Sequence, residues 1–392
     1  MSASPVTPVS PAKTRLRWPD VAKGLSIIGV VLLHVSLAVP EGMETTAAYL
    51  NRILDPLRMP LFFMVSGFFS AKVFGFTFKD LFLRRLWFFL VPYVLWVPIE
   101  LWFKFREWHI FDGKEMPGIS HYLAHIVEGR NMYWFLYALV IFNVVLWLTR
   151  KMPWWAGVLA GFAPILILPL HADQHMIGKA VLYLPAFLLG AHLRHHISHF
   201  AETATSLRHL TRGTILYAAG FTVAAVWAWW NTVSEVSLGW PLPFAETVGF
   251  VDLRLIVNSL VQLLMLPMAV IVAVLLSRIP VVVDVLSFLG RHTLVIYLGH
   301  PIALTVLYHY NLRDWELPIT RGADSVLYET ALWILIGLAI SALGSFGLWL
   351  ITRIPYLRWS IMPPLLTAAY RRPASTRGEI VAATTTASVT SR

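Results

Sequence analysis

A chain of 392 residues that is 57% hydrophobic and only 13% charged, with mean hydropathy +0.67, is too apolar for a soluble domain, where about 25% of residues are charged. The absence of cysteine excludes disulfides, thiolate metal sites and cysteine-borne acyl intermediates, so a nucleophile or base has to come from His, Ser, Lys or a carboxylate. The net charge of +10 reads as the positive-inside bias of an integral membrane protein rather than a nucleic-acid footprint, because the cations flank apolar runs.

Residues 1–14, rich in Pro, Ser and Thr, read as a disordered tail, residues 15–360 as one transmembrane domain, and residues 361–392 as a cytoplasmic, mostly disordered tail. The first apolar run lacks an A-x-A-like cleavage site and reads as a retained helix. Runs of spanning length fall near 21–39, 56–76, 86–103, 132–149, 154–170, 177–193, 214–230, 256–276, 285–309 and 328–350. They predict an all-α polytopic membrane protein with about ten transmembrane helices and both termini cytoplasmic. That orientation puts Arg15, Arg17, Lys72, Lys79, Arg84, Arg85, Arg150, Arg194, Arg278 and Arg353 inside, while Glu41, Glu107, Asp112, Glu235 and Asp314 gather outside. Pro164, Pro169 and Pro185 interrupt 154–193, which reads either as two full spans or as a re-entrant pair. No internal repeat is evident.

The first run, WPDVAKGLSIIGVVLLHVSLAV, carries Asp20 and Lys23 at its start and His34 deep inside. Eleven residues at about 100° each bring Lys23 and His34 to one helical face, about 16 Å apart along the axis. An ionisable group in the hydrocarbon region marks a functional site by default. In PLRMPLFFMVSGFF, Arg58 stands at the outer end, level with His34 and able to bind an anionic or carbonyl oxygen. The following turn gathers Lys72, Lys79, Arg84 and Arg85, suited to phosphates and near Lys23. Tyr133 and Trp134 open the fourth run, and GRHTLVIYLGHP brings Arg291, His292, Tyr297 and a second deep histidine, His300. The run HLRHHISHF has zinc-like spacing, but with no Cys and only Glu202 nearby it reads as a solvated basic face, so no metal site is expected. No G-x-S-x-G elbow, Walker loop or dinucleotide fingerprint is present.

Taken together, RWPDVAKGLSIIGVVLLH, RMPLFFMVSGFF, RRLWFFLVPY, YWFLYAL and GRHTLVIYLGHP, in this order over roughly residues 15–350, resemble the bacterial membrane acyltransferase 3 family of O-acetyltransferases. Lys23 and His34 match the family's basic residue and histidine in the first helix, and the resemblance implies that His34 is catalytic. The family's Arg-x-x-Arg at the third helix is met by Arg85, with Phe88 in the second position and Arg84 as a neighbouring substitute. The implied reaction moves an acetyl or other short acyl group from cytoplasmic acyl-CoA, a co-substrate with no permanently bound cofactor, to a hydroxyl of an envelope glycan or glycolipid. Its location would be the bacterial inner membrane, within the lipid bilayer and with no nucleic-acid partner. On this reading Lys23, Arg84 and Arg85 meet the donor's phosphates, and His34 acts as base or as transient acyl carrier. Asp20 orients Lys23, Arg58 stabilises the oxyanion, and Trp134, Tyr297 and His300 are substrate-side candidates. The alternative is a transporter or flippase of envelope lipids or saccharides whose intramembrane histidines relay protons.

Overall fold

The computed structural model describes residues 16–242, 244–312, 329–364 and 366. The predicted N-terminal tail 1–14, residues 367–392 of the C-terminal tail and the acidic stretch around Asp314 lie outside these residues. The elements that position the site are α1 (Trp18–Ala38), α2 (Met59–Ser70), α3 (Trp87–Asp112), α4 (Trp134–Leu148), α5 (His175–His192), α6 (Leu207–Val233), α7 (Phe250–Leu276), α8 (Val282–Arg291), α9 (Thr293–Ala303) and α10 (Glu329–Ile351). A short antiparallel ribbon, Ser237–Gly239 against Thr247–Gly249, is the one strand pairing among the described residues.

Six helices are long and apolar enough to cross a bilayer: Trp18–Ala38, Phe78–Asp112, Trp154–His171, Leu207–Val233, Phe250–Leu276 and Thr330–Ile351. Two bent pairs, His175–His192 with Arg194–Thr203 (81°) and Val282–Arg291 with Thr293–His309 (77°), raise the number to eight if each pair is one span. All these segments fall on predicted runs, so the chain is an all-α polytopic membrane protein, with six to eight candidate spans among the described residues where ten were expected. The difference lies largely in 56–76 and 132–149, whose helices are short and apolar. At Arg58 the backbone leaves helical geometry (φ −85°, ψ −106°), and Asn131 Oδ1 accepts the Tyr133 N–H, so both helices start late. The segment Trp154–His171 begins as α-helix, continues as 3₁₀ through Pro164 and Pro169, and kinks at Ile167. Proline removes the donors that a regular α-helix would need there.

α1 is the axis of the assembly. Trp18 and Ala22 pack in one apolar cluster with Leu61, Met64 and Leu266; Ile27 and Val30 join a second with Phe62, Phe135 and Leu298; Val35 joins a third with Ala303 and Tyr308. Against α1 lies α8, at backbone contact. A side chain added at Gly290 would meet the Asp20 carbonyl at 1.9 Å, and one at Gly24 would meet the Leu286 carbonyl at 2.0 Å. Gly290→Val is therefore expected to lower stability by about 1–3 kcal/mol, the usual cost of overpacking, seen as a lower thermal unfolding midpoint in detergent.

Candidate functional site

His34 lies in the last third of α1, half-buried, while His300 on α9 is fully buried. His34 Nδ1 and His300 Nε2 are 2.8 Å apart, and the rings lie within 10° of parallel with centroids 5.1 Å apart. Nearly parallel rings joined nitrogen to nitrogen make an edge-to-edge hydrogen bond in the ring plane, not a face-to-face stack. The direction of that bond follows from the next contact. His300 Nδ1 lies 2.7 Å from the Ile296 carbonyl, one turn earlier in α9. A carbonyl only accepts, so His300 carries its proton on Nδ1 and a neutral His300 presents the Nε2 lone pair. His34 must then donate from Nδ1, which leaves its own Nε2 with a free lone pair. The arrangement can take a proton at that nitrogen.

Below the pair, toward the Lys23 end of α1, lies a cavity of about 360 Å³. Asp20, Lys23, Arg85 and Arg291 supply its charged lining, and Val30, Phe62, Phe135 and Tyr297 line its apolar part. Val30 is four residues before His34, one helical turn or about 6 Å along the axis. Arg85 is held by neutral partners: its Nη2 donates to Ser70 Oγ at 2.5 Å and its Nε to Asn143 Oδ1 at 3.4 Å, with the Phe89 ring 5.7 Å from the guanidinium carbon. Its charge is therefore still available to an anion. Lys23 Nζ lies 4.5 Å from the centroid of the Phe69 ring.

Arg84 is not among the lining residues. It pairs with Asp80 at 3.1 Å on the half-exposed flank of the same turn. The cause is local: residues 82–86 form a π-turn, and successive side chains leave it in different directions. Arg291, at the exposed C-terminal end of α8, lines the cavity instead. The signal was present in GRHT, but no local pattern said that α8 folds back against α1. Phe88, in the position where the second family arginine was expected, also lines the cavity.

Arg58 is ion-paired with Asp55, and its stem fills the space left by Gly29, where a Cβ would approach Arg58 Cγ to 2.7 Å. Lys104 Nζ lies 5.3 Å from the centroid of the Trp108 ring. Trp134 lies beneath Lys179, whose Nζ is 4.5 Å from its ring centroid, and stacks on Tyr183 at 5.7 Å. Tyr297 stands elsewhere. Its ring is 6.2 Å from that of His300 and lines the cavity, while its hydroxyl donates to the Met132 carbonyl at 2.7 Å and accepts from the Phe135 N–H at 3.3 Å. Of the three substrate-side candidates, the structure brings His300 to His34 and Tyr297 to the cavity wall, while Trp134 is not among the lining residues and packs against Tyr183 and Lys179. Lys179 and Tyr183 were not singled out as site residues from sequence; only their contacts with Trp134 mark them.

Among the described residues no group of three or more His, Asp or Glu side chains is arranged to hold a metal ion. The chain was compared with protein families, curated proteins and solved structures. No curated protein and no solved structure matches it. Residues 16–351, nearly the whole membrane portion, match the family model Acyl_transf_3, described as an acyltransferase domain. With a polytopic helical fold and a match of this extent, the chain belongs to the membrane acyltransferase 3 family.

Proposed function

We propose that this membrane acyltransferase moves an acetyl or similarly short acyl group from cytoplasmic acyl-CoA to a hydroxyl of an extracytoplasmic glycan or glycolipid, with His34 as the general base. The observation that carries this reading is the hydrogen-bond chain Ile296 carbonyl, His300, His34, which leaves His34 Nε2 unprotonated one helical turn beyond a cavity lined by cations. The 360 Å³ space suits the pantetheine arm of the donor, and Lys23, Arg85 and Arg291 suit its phosphates. The acceptor approaches from the other side. Its hydroxyl proton passes to His34 Nε2 as the oxygen attacks the thioester carbonyl; the carbon–sulfur bond then breaks and the departing thiolate takes the proton from His34. Arg58 faces the same region and suits the negative charge that develops on the carbonyl oxygen.

The test uses purified protein in nanodiscs with acetyl-CoA and envelope glycans or glycolipids. Release of the CoA thiol should accompany an acceptor mass gain of one acetyl group; movement of a substrate across the bilayer with no acyl transfer would refute the reading. A second expectation concerns the donor side. Arg85→Gln removes a charge-assisted contact worth about 1.5–3 kcal/mol, so KM for acetyl-CoA should rise by roughly 10- to 150-fold with kcat changed far less. Steady-state kinetics at saturating acceptor check it.

A further inference from the structure

We infer that one acyl chain of an anionic membrane phospholipid fits a second, apolar cavity between α1, α8, α9 and α10, with the phosphate of its headgroup at Arg353. The inference goes beyond the acyl-transfer reading and does not depend on it. This cavity, of about 360 Å³, lies beside the donor cavity. On α1 the donor cavity takes Lys23, Ile27 and Val30, and this one takes Ile27, Ile28 and Val31, so Ile27 stands between the two.

α10 supplies the facing wall. It meets α1 at Gly337, where an added Cβ would approach Val35 Cγ1 to 2.7 Å, and meets α9 at Gly344, where one would approach Ala303 Cβ to 2.2 Å. Toward the Lys23 end, α10 turns Ser341, Ala342 and Ser345 to the cavity, and side chains this small do not reach across to Ile28 and Val31. Ser345 gives its hydroxyl to the Ser341 carbonyl at 2.7 Å. Apart from these two serines and His292, the lining is hydrocarbon or aromatic. Ile28, Phe288 and Phe346 line the cavity and are also exposed on the outer surface, so it opens there. α1 and α10 are both candidate spans, and an opening on the outside of such helices meets lipid.

The dimensions select the occupant. The lining on α10 runs from Leu338 to Trp349, eleven residues or about 16 Å. That is half of a hydrocarbon core about 30 Å thick, the depth of one leaflet's chains. Spread over that length, the volume gives a cross-section of about 20 Å². One extended chain fits such a slot, whereas a helix 10 Å across needs roughly 80 Å².

Charge selects the headgroup. Trp349 stands two residues before the end of α10, where interfacial aromatics gather, and the Arg353 guanidinium carbon lies 4.2 Å from its ring centroid. His292, at the joint of α8 and α9, lines the cavity and donates from Nδ1 to the Phe288 carbonyl at 2.8 Å. Arg353 is exposed, and the ion pairs among the described residues leave it without a carboxylate. Three acids lie on the four lining helices. Asp20 lines the donor cavity, Glu329 opens α10 at its far end, and Asp284, one turn before Phe288 on α8, makes no ion pair with Arg353. An arginine at the end of a span, beside an apolar slot, suits the phosphate of a lipid whose chain enters that slot.

Delipidated protein in detergent, titrated with phosphatidylglycerol or phosphatidylcholine of the same chains and weighed by native mass spectrometry, tests the site. One phosphatidylglycerol should bind at least about fivefold more tightly than phosphatidylcholine, as one cation at a membrane surface provides. Arg353→Gln should bring the two lipids to equal affinity, and Arg353→Lys should keep the preference. Ala342→Phe, which puts a ring in the path of the chain, should abolish tight binding of both. A phosphatidylglycerol with a photoreactive group at mid-chain, used on the unmodified protein in nanodiscs, gives a readout that needs no variant. Its label should gather on the peptides holding Ile28 and Ala342 at least about fivefold over those of α6, a largely exposed span away from the cavity. Equal affinity for the two lipids in the wild type, unchanged binding in Ala342→Phe, or equal labelling of α6 and α10 would each overturn the proposal. A dimer that retains no lipid and that Ala342→Phe dissociates would assign this face to a second copy of the chain and overturn it as well.

Discussion

Replacing His34 by alanine should slow acyl transfer by about 10²- to 10⁴-fold, the range that a positioned general base contributes, while affinity for acetyl-CoA changes little. The two effects separate because the imidazole lies outside the donor cavity, whose lining reaches only to Val30, one turn before it. His34 is half-buried, so truncation of its ring does not open a cavity in the sealed core. The protein should therefore still fold. Single-turnover release of the CoA thiol, set beside a binding isotherm for a non-hydrolysable acyl-CoA analogue, checks the claim. Full thiol release by His34→Ala with acylated product would remove His34 from the reaction.

The second large effect is expected at His300, acting through His34. Removing its acceptor with His300→Phe keeps an aromatic ring in the buried site but leaves the His34 Nδ1–H without a partner. A buried donor left unsatisfied costs about 1–3 kcal/mol, and the imidazole escapes that cost by moving its proton to Nε2, the atom needed as base. That predicts a loss in kcat of roughly 5- to 150-fold, with KM for acetyl-CoA near its original value. His300→Gln restores an acceptor oxygen at about the reach of Nε2 and should recover much of the rate. Nitrogen chemical shifts of His34 give the direct readout: an Nδ1–H tautomer in the wild type and in His300→Gln, and a mixture in His300→Phe. A uniform Nδ1–H tautomer in all three would show that His300 does not set the proton.

How much of this was legible beforehand varies residue by residue. Lys23 and His34 share a face because eleven residues close three turns of an α-helix, and that holds in any fold containing the helix. The apolar runs were equally plain, since a spanning segment writes its length into hydropathy. Arg84 and Arg85 were not separable in this way. Both are basic and adjacent, yet the π-turn at Phe82–Leu86 sends Arg85 to Ser70 and Asn143 and leaves Arg84 with Asp80. His300 was visible as a second deep histidine, but its hydrogen bond joins residues 266 positions apart. No local pattern encodes a contact of that separation. Arg291 was passed over for the same reason, because its place at the cavity depends on the close packing of α8 on α1 through Gly24 and Gly290.

The sequence by itself determined that this is a helical membrane protein of the acyltransferase kind, with no cysteine chemistry and with a lysine and a histidine in register on its first helix. Periodicity, hydropathy and short motifs are local, and each is complete within about one helix. Only the tertiary structure decided which nitrogen of His34 carries the proton and which arginines face the cavity. Those are relations between α1, α3, α5, α8 and α9, and they exist only once helices distant in the chain have packed against one another.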